Sequence, residues 1–135
     1  MKTVVRAGLV AMLATALAAP AQAQAATIKQ VTSTCRTGEF AGTFTLRYET
    51  SGGYHHPIGS ITTSGPYIGD SGTQTLRISY IDGLGTHAVY TRVGPATNGT
   101  QSLPAGLAIP ATARGTASTK FDNGTTSCTA TVPIT

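Results

Sequence analysis

Over residues 40–49 apolar and polar positions alternate: Phe40, Phe44, Leu46 and Tyr48 share a face with Gly42, while Thr43, Thr45, Arg47 and Glu49 take the other. A period of two predicts an extended strand, because successive side chains leave a pleated backbone on opposite faces. The pattern returns over residues 73–81, with Leu76, Ile78 and Tyr80 inward and Thr75, Arg77 and Ser79 outward. Asp82 and Gly83 then signal a turn, and residues 86–93 predict the second arm of a hairpin. In that arm Val89, Thr91 and Val93 fall on one side, with Ala88, Tyr90 and Arg92 expected on the solvent side. Weaker strands fit residues 28–35, 58–63, 103–109, 112–121 and 127–134, with Asn123 and Gly124 turning the chain before the last.

No window combines a 3.6-residue period with helix formers, and glycine and proline punctuate the whole length. Threonine, which suits a pleated surface, supplies 23 of the last 110 residues. About eight short strands at this spacing predict an all-β fold: an antiparallel β-sandwich of immunoglobulin-like size, with a small β-barrel as the alternative. It lacks the packing tryptophan of a true immunoglobulin domain. Pro95, Pro104 and Pro110 are read as loop or edge positions, since proline cannot donate to a central ladder.

The start of the chain is different. Lys2 and Arg6 precede an uncharged run over residues 7–19, followed by Pro20 and two small-x-small sites at Ala21–Ala23 and Ala23–Ala25. Residues 1–25 therefore predict a cleaved secretory signal peptide, and residues 26–135 a single extracellular domain. The run is too short for a membrane span. Without it the basic count is 7 against 5 acidic residues, and Lys29, Arg36, Arg47, Arg77, Arg92, Arg114 and Lys120 are scattered singly. Nucleic acid is not an expected partner, because phosphate binding needs clustered cations. Only about a third of the remaining residues are hydrophobic, so the core should be thin. Cys35 and Cys128 are the only cysteines, and export predicts a disulfide between them. The alanine-, threonine- and glycine-rich composition is that of small exported bacterial proteins.

Catalytic chemistry is poorly supplied. Gly69, Asp70, Ser71 and Gly72 form a string that resembles the one around the nucleophile of trypsin-like serine proteases. The resemblance stops there: Thr73 replaces the second glycine, no Ala-Ala-His-Cys string supplies a base, and two barrels do not fit in about 110 residues. The other reading is a turn. Glu39 and Glu49 bracket one strand, about 30 Å apart when extended, too far for a hydrolase pair. Neither catalytic residues nor a cofactor are assigned, and the expected class is not an enzyme.

Tyr54, His55, His56 and Pro57 follow Ser51, Gly52 and Gly53 in what reads as an exposed, mobile loop. Adjacent histidines on extended backbone face opposite ways, so joint metal ligation would need a turn there and a third ligand such as His87. The plain reading is a polar loop tip, and the alternative is recognition, with Tyr54, His55 and His56 as contact residues. Arg47, Arg77, Tyr90 and Arg92, if all four face outward, read either as a solvated face that keeps the protein soluble or as a second contact surface, since arginine and tyrosine are favoured at interfaces. The function expected is a small secreted binding module, a subunit of an extracellular assembly being one form of it, with an extracellular protein as the first partner class and carbohydrate as the second. The alternatives are an inhibitor that plugs a hydrolase cleft with residues 51–57, and a metal-dependent factor or enzyme.

Overall fold

The computed structural model describes Ala18, residues 27–69 and residues 71–135. Apart from Ala18, the expected signal peptide lies outside the described residues, as does Asp70. The chain forms two antiparallel sheets packed as a sandwich, with no closed barrel. The strands are β1 (Ile28–Thr37), β2 (Phe40–Ser51), β3 (Tyr54–Gly65), β4 (Thr73–Asp82), β5 (Gly85–Pro95), β6 (Gly99–Ser102), β7 (Ile109–Pro110), β8 (Arg114–Asp122) and β9 (Ser127–Ile134). One sheet has the order β1-β2-β3-β6, with β7 also pairing β3; the other has the order β5-β4-β8-β9. The chain crosses between sheets after β3, β5 and β7.

The inward faces follow the alternation. Phe40, Phe44, Leu46 and Tyr48 from β2 meet Leu76, Ile78, Ala117, Phe121, Ala130, Val132 and Ile134 from the other sheet, and all are buried. Leu103 and Ile109 fill the core from outside the main strands. Along one side β1 and β9 lie against each other, joined by the Cys35–Cys128 disulfide and by a hydrogen bond from Thr37 Oγ1 to the Ser127 carbonyl at 2.9 Å. The opposite side is joined by polar groups: buried Gln74 of β4 accepts at Oε1 from the Thr97 amide at 3.3 Å, while Thr62 of β3 donates to the Thr97 carbonyl at 2.7 Å. Among the described residues no helix is long and apolar enough to cross a membrane.

Three sequence expectations are corrected. Residues 51–57 are not a loop: β2 runs to Ser51, β3 starts at Tyr54, and Gly52 and Gly53 make the whole turn. Their φ values of 58° and 82° are those of the tight hairpin turn that matches strand twist, which only glycine adopts freely. Residues 103–109 are not one strand, since only Gly99–Ser102 and Ile109–Pro110 pair with β3 and Pro104 has no N–H to give a ladder. In β5, Tyr90 and Arg92 stand opposite inward-facing Ile78 and Leu76, so they take the inner side, and Thr91 and Val93 face out. A β-bulge causes the reversal: the register shifts between Ile78 and Ser79, leaving Val89 unpaired.

Candidate functional site

The tight turn after Ser51 fixes the register on both arms, pairing Ser51 with Tyr54, Thr50 with His55 and Glu49 with His56. Directly opposed residues share a face. Tyr54, His56 and Glu49 therefore stand together on the outer face, while His55 turns inward and is only 5% exposed. The Tyr54 and His56 rings are 6.3 Å apart and tilted by 41°. The two histidines point to opposite faces and do not share a ligand position.

His55 is held within the fold. Its ring meets Tyr48 edge-on at 5.5 Å, and its Nδ1 lies 2.7 Å from Thr50 Oγ1. Burial lowers its pKa from the ordinary 6.5, and the nearby charges of Lys29 and then His56 push the same way. Since the folded state resists the proton, the unfolded chain takes it up first as pH falls through about 6.5, and stability present at neutral pH is lost on acidification. The melting temperature should thus fall more steeply between about pH 7.5 and pH 5 in the wild type than in a His55→Gln variant. Equal slopes would place the acid sensitivity elsewhere. Asp82 titrates in a lower window. The Leu84 amide, at 2.8 Å, and His87 Nε2, at 2.9 Å, hold its carboxyl below the ordinary 3.8.

A groove of about 400 Å³ lies beside the Glu49–His56 pair, and its origin is a second bulge. Where the β2–β3 register shifts between Arg47 and Tyr48, Ile58 is the extra residue of β3. On its far edge β3 pairs with β6 through residues 59–62 and with β7 through residues 54–55, so the bulge sits in the gap. The chain bridges that gap by detouring over residues 103–108. Two hydrogen bonds fix the detour: the Leu103 amide donates to the Ile58 carbonyl at 3.0 Å, and His56 Nδ1 lies 3.1 Å from the Leu107 carbonyl. Pro57, Ile58, Leu103, Pro104 and Leu107 give the groove apolar walls, and Glu49, Ser51 and His56 give it polar groups.

Of the contact residues singled out from sequence, the structure brings Tyr54 and His56 together on the outer face, turns His55 inward, and divides Arg47, Arg77, Tyr90 and Arg92 among different faces. Arg47 lies on the outer face of the first sheet, opposite Gly59; Arg77 lies on the outer face of the second, opposite Thr91 and Ser118. With Tyr90 and Arg92 turned inward, the four do not form one surface. Glu49 and residues 103–107 were not singled out, although the Gly52–Gly53 pair would have placed Glu49 opposite His56. Ser71 of the protease-like string donates to the Ile68 carbonyl at 2.9 Å, as a turn hydroxyl does. Among the described residues no three His, Cys, Asp or Glu side chains are grouped to hold a metal ion. Comparison with protein-family models, with curated proteins and with solved structures finds no match.

Proposed function

We propose that the protein is a secreted binding module that works by contact, and that the groove beside Glu49 and His56 receives an extracellular protein partner. One observation carries the reading: apolar walls shared between the β2–β3 hairpin and residues 103–107, with a few convergent polar groups, stand beside a half-exposed tyrosine. That combination is typical of recognition sites, where apolar contact supplies affinity and sparse polar groups supply orientation. The disulfide and the signal-peptide pattern support export. The turn after Ser51 projects no loop, so a cleft-plugging inhibitor built on residues 51–57 has no support in the geometry.

Position-specific photocrosslinking tests the reading. A benzoylphenylalanine at Tyr54 should capture a discrete protein from the extracellular fraction, whereas the same group at Thr91, on the outer face of the other sheet, should not. Adducts at both positions alike, or at neither, would reject the groove as the contact site.

A further inference from the structure

Each polar side chain lining the groove, Glu49, Ser51 and His56, has an atom able to accept a hydrogen bond. The His56 contact with the Leu107 carbonyl requires Nδ1 to carry the proton, because a carbonyl oxygen can only accept. In the neutral imidazole that leaves Nε2 as an acceptor. Glu49 is an acceptor with a negative charge, and among the described residues no cation lies within 4.0 Å of it; the one close pair of opposite charges is His87 with Asp82. Ser51 can serve either way. Beside these acceptors stands the exposed Tyr54 ring, and the walls between are aliphatic.

This set complements a ligand that is cationic, rich in donors and carried on an apolar stem. We propose that the groove binds an arginine side chain presented by the partner protein, an inference that rests on the groove being the contact site. The aliphatic stem lies along Leu103, Pro57 and Ile58. The planar guanidinium offers a fork of N–H donors to Glu49 and a further donor to His56 Nε2, and its face suits the Tyr54 ring. An acidic partner does not fit, because Glu49 would repel it. Arg47 is the next residue on the same face of β2, toward the middle of the strand, and is not among the groove's lining residues.

The test uses the peptide acetyl-Gly-Ala-Arg-Ala-Gly-amide and its citrulline twin, which keeps the shape and loses the charge. In NMR titrations of the oxidised mature protein, the arginine peptide should shift the His56 ring and residues 103–107 saturably. Citrulline should need at least about tenfold more peptide for the same shift, as should arginine with a Glu49→Gln protein whose remaining spectrum matches the wild type. Equal titration by the two peptides, shifts centred on the other sheet, or no shift would overturn the proposal. If Tyr54 crosslinks a partner while the arginine peptide leaves the groove unmoved, the ligand class fails and the contact site stands. If Tyr54 crosslinks nothing, both fail.

Discussion

Replacing Cys35 and Cys128 together by alanine should lower stability by about 4–5 kcal/mol, which for a domain of this size is a fall of about 20 °C in melting temperature. The bridge joins residues 93 apart, so it removes much of the conformational freedom of the unfolded chain. It also stands where the fold has little else. Strand β1 is an edge strand in which Val31, Ser33 and Cys35 alternate with exposed residues, and none of its side chains is buried. Without the disulfide its tie to the opposite sheet is reduced to half-buried Val31, packed against the core, and to polar contacts such as Thr37 with Ser127 and Lys29 Nζ with the Thr135 carbonyl at 3.1 Å. Amide exchange in the double variant should show β1 losing protection before β2 and β4. A melting temperature lowered by less than about 5 °C would mean that the unfolded state is already compact enough to make the bridge redundant.

The strand framework was legible because one face of β2, β4, β8 and β9 is buried and the other is not. Phe44, Leu46 and Tyr48 against Thr43, Thr45 and Arg47 leave a single way to place β2, and the disulfide followed from two cysteines in a chain that reads as exported. Where the contrast is weak the pattern misleads. In β5, Val89, Tyr90, Thr91, Arg92 and Val93 suit either face nearly equally, and the bulge at Val89, which inverts the assignment, has no sequence signal of its own. The groove was half legible. Gly-Gly between two strand-like runs is a hairpin signal, and taken as one it aligns Glu49 with His56 across the turn. The wall made by residues 103–108 was not legible, since it arises from the gap that Ile58 opens between β6 and β7, a consequence of pairing between segments far apart in sequence.

Gly42 shows how a position without a side chain can be as constrained as any core residue. It lies on the inner face of β2, opposite Cys35 and Ser64, and the ring of Phe121 from β8 occupies the space its side chain would take. A Cβ there would come within 2.2 Å of Phe121 Cδ2 and 2.5 Å of Cε2. Phe121 has no exposed surface and cannot swing aside. Two effects of Gly42→Ala oppose each other. Alanine restricts the unfolded chain and favours the strand by about 0.5–1 kcal/mol, while overpacking a filled core costs about 1–3 kcal/mol and more where the obstacle is a rigid ring. The clash should win, with a net loss of about 2 kcal/mol in denaturant unfolding. Gly94, in edge strand β5, has nothing within 4 Å of its would-be Cβ, so Gly94→Ala should be neutral or slightly stabilising. Shortening the ring by Phe121→Leu should cost less in the Gly42→Ala background than in the wild type, a coupling of about 1 kcal/mol or more in a double-mutant cycle. If Gly42→Ala and Gly94→Ala behaved alike, the two sheets would be too loosely packed at this end for Phe121 to be filling the space over Gly42.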